Sequence, residues 1–409
     1  MLPDKASIKT KYLTIIKQIW LEADDQFPAF LKPVSEATKS DNEQYSRKLS
    51  KDFNIQVNRF PRFLLGRKRW KRRMLSLIED VLRHETVIGI HQSMKESEIA
   101  SFREELMVFL KQVRAFAPEL ELEGIGQALR NYIVYVMFKY IHRIQSGFSM
   151  AGFGYSMLYP FTDNYIDSRS YTAGEKVEYN RLIRDKIEGR PVHPGTAHQR
   201  KTCDLLDAIF LNFDHSVSRL LLMMLEAQEE SLRQQDNGVA LTDEECLDIS
   251  LYKGGISVLV DRYLIGKELN EEEIIFYLGL GFFLQLADDL QDIKSDSEQG
   301  WQTLLTLNIS HEYEERYINK LLHFIHTVMS SYQAENNGFK DFILANCYQL
   351  VLTSVIGSKE YFSQDYIDAI GRYLPVTVAF YEEMQRDMIY NQNSRDPEQY
   401  LKLMDVIIK

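Results

Sequence analysis

The sequence predicts an all-α protein, on three observations. Apolar residues recur at intervals of three and four along most of the chain, which is the helical period. No stretch alternates Val, Ile and Thr between turn residues as a half-buried strand would. Breakers are few, with 10 prolines and 20 glycines among 409 residues. At 45% hydrophobic and 26% charged, the chain can bury a large core.

Charge and cysteine usage narrow the function classes. A net charge of −11 argues against general nucleic-acid binding, which needs a cationic surface. Cys203, Cys246 and Cys347 are scattered and show no CxxC spacing, which excludes a zinc site and suits a reducing compartment. The opening MLPDKASIKTKYLTIIKQIW mixes charge into its apolar residues, so it reads as neither signal peptide nor membrane span. No run of eighteen apolar residues occurs. The expected location is cytoplasmic.

Residues 1–117 read as an accessory helical layer. Within them Arg67, Lys68, Arg69, Lys71, Arg72 and Arg73 cluster around Trp70. This is either a solvated helix start or a contact for an anionic membrane surface or a phosphate. Pro118, Gly124 and Gly126 mark a soft boundary, leaving 118–409 as a second domain, or the whole as one compact unit. From Leu129 to Phe161 the chain is rich in aromatics, read as a buried helix pair. Phe153 and Tyr155 belong to this stretch, and aromatic faces either fill a core or line a pocket for cations.

That segment leads into Asp163-Asn164-Tyr165-Ile166-Asp167, two carboxylates on one helical face. Residues 168–200 are polar, and GRPVHPGTAHQR (189–200) carries loop marks; nothing pairs with His193 or His198 at metal spacing. Helix is expected again from Cys203 to Gln234, then after a turn at Asn237-Gly238. Thr242 and Glu245 form a capping box there. Lys253 precedes Gly254 and Gly255 inside a good apolar pattern, where each glycine costs roughly 1 kcal/mol relative to Ala. Either the glycines pack helices beside a snorkelling lysine, or Lys253 is a point charge for phosphate.

The organising stretch is Glu271–Gly300. Asn270 with three glutamates opens a helix that is apolar to Ala287, then carries Asp288, Asp289, Asp292 and Asp296 with no proline to stop it. Asp288, Asp292 and Asp296 share a face at spacings of four. Either they form a solvated acidic face on the last turns of the helix, or a divalent cation sits among them and offsets the like charges and the negative end of the dipole. Further helices are expected over 303–334, 338–358 and 364–392 and from 396, with His323 and His326 facing solvent.

Lys253-Gly254-Gly255 followed by Gln285-x-x-Asp288-Asp289-x-x-Asp292 resembles the second half of a trans-prenyltransferase-type class I isoprenoid synthase. In that family a lysine before two small residues contacts diphosphate and an FQxxDDxxD box binds Mg²⁺; here Leu284 stands in place of the phenylalanine. Asp288, Asp292 and Asp296 also match the spacing of the NSE/DTE triad of class I terpene synthases. The first box is similar to DDxxD, with Asn164 in place of the second acid. The likeness covers roughly residues 125–300.

The resemblance implies a helical bundle around a central apolar cavity. It implies three Mg²⁺ ions, bound with a prenyl diphosphate substrate by Asp163, Asp167, Asp288, Asp289, Asp292 and Asp296. Lys253, Arg169 and Gln285 would contact the diphosphate, and Phe153, Tyr155 and Phe283 would surround the allylic cation. GRKRW at 66–70 is only a faint echo of the isopentenyl diphosphate site of chain-elongating enzymes, and Ser168-Arg169-Ser170 follows the first box instead of paired arginines. This favours a terpene synthase. The alternatives are a prenyl diphosphate synthase or a head-to-head transferase of the squalene/phytoene type, and a non-catalytic helical binding protein of the same fold. Oligomers are compatible with any of these.

Overall fold

The computed structural model describes residues 3–61, 63–145, 147–168, 170–213, 216–235, 238–394 and 396–409; Leu65, Asp167, Ala173, Ile389 and residues 391–394 are described by their backbone alone. All regular structure among them is helical. In chain order the α-helices are α1 (Lys5–Ser7), α2 (Leu13–Glu22), α3 (Glu36–Asn58), α4 (Leu64–His84), α5 (Ile90–Ser93), α6 (Glu96–Phe116), α7 (Leu122–Ile141), α8 (Met150–Asp167), α9 (Ala173–Ile187) and α10 (Ala197–Phe210). They continue as α11 (Ser218–Ser231), α12 (Asp243–Ile265), α13 (Glu271–Gln291), α14 (Ile293–Gln299), α15 (His311–Ser331), α16 (Asn337–Gly357), α17 (Gln364–Gly371), α18 (Val378–Ser394) and α19 (Pro397–Ile408). No helix among the described residues is long and apolar enough to cross a membrane.

The helix starts follow the capping chemistry legible in the sequence. Thr242 accepts from Glu245 N while Glu245 reaches back, and Asn270 does the same with Glu273. Elsewhere the expected bounds shift. Gly124 and Gly126 lie inside α7, so the break falls before Leu122. The stretch 203–234 is two helices, α10 and α11, and α10 already begins at Ala197 with a Thr196–Gln199 capping box. The stretch 364–392 divides into α17 and α18 around Pro375, which cannot continue a helix.

Two compact units result: Met1–Ala29 with Gln127–Ser363, and Phe30–Gly126 with Gln364–Lys409. This division interleaves the chain, unlike a boundary near 118. The first 29 residues join the unit that holds both acidic boxes, and the last 46 join the other. Composition along the chain marks local breaks only; it carries no sign of which distant helices share a core.

The first unit is built on α12 and α13. Both are buried almost all round, which is the fate of a helix without a polar face. They run antiparallel: Gly254 meets Gly281 at one level, and Arg262 meets Glu273 at another. Arg262 Nε donates to Glu273 Oε1 at 3.1 Å, and the Arg262 fork also reaches the carbonyls of Gly266 and Glu268. Trp20 on α2 closes one side of the pair, edge-on to Phe282 at 5.6 Å and to Phe324 of α15 at 5.8 Å.

The second unit has its own core. Val57, Trp70, Met74 and Leu403 are buried together, with Phe60, Leu77 and Tyr400 packed around them. Asn42 Nδ2 donates to Pro375 O at 2.7 Å, and Arg114 Nε pairs with Asp405 at 2.9 Å, tying α17–α19 to the earlier helices.

Candidate functional site

The second acidic box lies where α13 ends. The helix does not run unbroken to Gly300: it stops at Gln291, Asp292 takes φ −97° and ψ 3°, and α14 begins at Ile293. Spacing survives the break. Asp292 N donates to Asp288 O at 3.0 Å and Asp296 N to Asp292 O at 2.8 Å, so the three acids still stack at intervals of four. Asp288 and Asp292 are exposed, whereas Asp289 and Asp296 are buried.

The four carboxyls lie in one another's fields. Burial pushes Asp289 up to about 7, with Asp288 and Asp296 adding to the rise and a 2.9 Å hydrogen bond from Gln285 Nε2 opposing it. Burial likewise takes Asp296 to about 7, helped by Asp292 and Asp288. Asp288 is raised by desolvation although its surface is open, as befits a carboxyl recessed among protein. Asp292 is raised by desolvation and then by Asp288. The Lys253 cation offsets the rise at Asp288, Asp289 and Asp296, and Arg130 of α7 assists it at Asp288.

Enclosed oxygens accumulate behind this box. Asp289 Oδ2, Tyr317 Oη and both carboxylate oxygens of Glu314 are buried without a hydrogen-bond partner. The donor set is all oxygen, the chemistry that suits Mg²⁺. Among the described residues, however, no three His, Cys, Asp or Glu side chains converge on one point as a metal centre. The carboxylates fit the ion by type and charge and would have to turn towards it.

Lys253 owes its position to the two glycines after it. A Cβ on Gly254 would collide with the carbonyl oxygen of Gly281 and lie 2.7 Å from Gln285 Cβ; one on Gly281 would collide with the carbonyl oxygen of Gly254. The glycine pair therefore serves close helix packing, and the lysine's charge is brought to the acids by it. Lys253, Ser257 and Asp261 recur every four residues and share a face of α12.

The first box ends α8, whose face carries Tyr155, Tyr159 and Asp163 at the same spacing. Gln228 Nε2 donates to Asp163 Oδ1 in a short contact, and Thr162 Oγ1 lies 3.1 Å from the same oxygen. Asn164 is exposed. The Asp167 side chain and the whole of Arg169 lie outside the described residues. Tyr155 Oη donates to Ser257 O at 2.9 Å and Tyr159 Oη to Tyr155 Oη at 3.4 Å, joining α8 to the Lys253 face of α12.

α11 touches both α8, which carries the first box, and α12, which carries Lys253. Tyr252 Oη donates to Glu226 Oε2 at 3.3 Å, and Gln228 of the same helix holds Asp163. Two residues along a helix span about 3 Å. Glu226 and Gln228 also lie about 200° apart round α11, so it meets α12 and α8 with different faces. A small cleft of ≈ 50 Å³ opens beside α8, lined by Tyr155, Tyr159, Asp163, Gln228 and apolar residues such as Leu206 and Leu225. Neither Lys253 nor any acid of the second box lines it. Phe153 and Phe283 are fully enclosed core residues.

Sequence reading missed three groups. Arg130 and Gln228 lie on amphipathic helices with nothing local to distinguish them. Asp261 had a signal, a lone acid inside VLVDRYLI, but beside Arg262 it resembles half of an ion pair. Arg262 instead bonds Glu273, and Asp261 is buried with Oδ1 unpartnered and its carboxyl held well above the usual range by desolvation. His198 Nε2 donates to Phe161 O at 2.8 Å, and His323 and His326 are half-buried against Gln26 O and Tyr348 Oη rather than solvent-facing.

Compared with known protein families, curated proteins and solved structures, the chain matches none.

Proposed function

We propose that the chain is a Mg²⁺-dependent class I terpene synthase, which ionises a prenyl diphosphate and releases pyrophosphate. The observation that carries this reading is the charge arrangement at α12 and α13. Four carboxyls crowd one helix end, and the charge of Lys253, beside the Gly254–Gly281 contact, offsets the rise in three of them.

Asp288, Asp292 and Asp296, with Asp289 behind them and Asp163 and Asp167 on α8, are the residues that would hold Mg²⁺. When bound, the ions supply Lewis-acid charge to the diphosphate oxygens. Lys253 and Arg130 add fixed positive charge where the leaving group becomes negative. Gln228 orients Asp163 by its hydrogen bond. Tyr155 and Tyr159 line the small cleft beside α8, which would have to widen to shield an apolar chain from water.

The test is product analysis. The full chain is incubated with C10 to C25 prenyl diphosphates and Mg²⁺, with and without isopentenyl diphosphate, and organic extracts are examined. A terpene from one allylic diphosphate alone supports the synthase. A longer prenyl diphosphate made only with isopentenyl diphosphate, or a hydrocarbon with twice the carbons of the allylic substrate, supports the transferase instead. A second reading, a non-catalytic binding protein of the same fold, is favoured by one observation: exposed Asn164 stands in the first box where the second acid of DDxxD would be. Mg²⁺-dependent binding of a diphosphate with no product supports that reading.

A further inference from the structure

α4 buries one face and opens the other. Trp70 and Met74 point into the second unit's core, and Trp70 Nε1 donates to Gln56 O at 2.8 Å. On the opposite arc Lys68, Arg69, Arg72 and Arg73 are exposed. From Leu64 to Leu75 the helix carries six cations and no acid, in a chain whose net charge is −11. Lys68, Arg69, Lys71, Arg72 and Arg73 have no ion-pair partner among the described residues, whereas Arg83 farther along is bonded to Glu79 and Glu96.

Hydrophobic exposure coincides with this charge. Phe63 and Leu64, at the helix start, are 80% and 76% exposed. At the helical period Leu64, Lys68 and Arg72 fall on one line, so the apolar pair and the cations share a surface. Water tolerates unpaired cations, but it gives no reason to expose a Phe-Leu pair beside them. A surface with anionic headgroups above hydrocarbon takes both: cations at the phosphates and carboxylates, Phe63 and Leu64 at the acyl boundary. Nucleic acid would match the charge and leave the apolar pair in water.

We infer that the outer face of α4 is a docking surface for anionic lipid membranes, with Phe63 and Leu64 as its apolar contact. This stands independently of the reaction proposed above, because none of these residues belongs to the unit that carries the acidic boxes.

The experiment is co-sedimentation of the full chain with vesicles of phosphatidylcholine alone and of phosphatidylcholine mixed with phosphatidylserine. Binding to the mixed vesicles only, weakened by added salt, is expected. Lys68→Glu with Arg72→Glu should lower that affinity about tenfold or more, and Phe63→Ser with Leu64→Ser should lower it at every salt concentration. All four side chains are exposed, and an unchanged circular dichroism melt shows that the variants are folded. Absence of binding to mixed vesicles overturns the inference, as does equal binding by the charge-reversed variant. Salt-sensitive binding to duplex DNA without vesicle binding overturns it in favour of nucleic acid.

Discussion

Gly254 of α12 and Gly281 of α13 face each other so closely that neither helix could carry a Cβ at the crossing. That contact sets the distance between Lys253 and the acids of the second box. Gly254→Ala or Gly281→Ala should therefore overpack the interface and destabilise the fold by about 1–3 kcal/mol. Urea unfolding measures it. Gly255→Ala, whose Cβ would lie 3.1 Å from the movable Leu278 Cδ2, should cost less than either.

The other end of the same helix pair depends on Glu273. This side chain accepts from Asn270 N as a cap and pairs with the buried Arg262. Glu273→Gln leaves the Arg262 charge uncompensated, for which a loss of about 3–5 kcal/mol is expected. Loss of stability by urea unfolding, together with a shifted tryptophan emission, would report it.

Lys253 should act on ligand rather than on stability. Lys253→Met keeps the stem that packs beside Gly254 and removes the cation. Calorimetric titration with inorganic pyrophosphate and Mg²⁺ is expected to show at least about tenfold weaker binding, one charge-assisted contact being worth about 1.5–3 kcal/mol. Binding equal to that of the unaltered chain would remove Lys253 from the site.

Glu314 makes stability depend on pH. It is fully buried, both carboxylate oxygens lack partners, and desolvation pushes it from 4.5 up to about 8. Below pH 4.5 the group is protonated in both folded and unfolded chains. As pH rises, the unfolded chain releases its proton first, so stability falls through this window and levels off above pH 8. The loss is at most about 5 kcal/mol, at 1.36 kcal/mol for each unit of displacement. Glu314→Gln should flatten the fall between pH 5 and 8 in thermal melts. Asp261, also buried and raised, contributes in the same direction.

Helical class and the starts of α12 and α13 were legible in the sequence, because the caps Thr242–Glu245 and Asn270–Glu273 are local and their partners lie three residues on. The stacking of Asp288, Asp292 and Asp296 was legible for the same reason, although the helix break at Asp292 was not. The long-range arrangement was hidden. Nothing near Gly254 says that Gly281 will oppose it, nothing near Gln228 says that it will hold Asp163, and nothing near residue 29 says that the chain leaves one unit there and returns at 127. The aromatics Phe153 and Phe283 show the limit of composition: a ring that lines a pocket and a ring enclosed in a core read alike.

Pyrophosphate release from allylic prenyl diphosphates, with and without Mg²⁺, tests the central claim most directly. The full chain should release it only when Mg²⁺ is present, and Asp288→Ala should abolish the release while remaining folded. No release from any C10 to C25 diphosphate, or release undiminished in Asp288→Ala, would contradict the account.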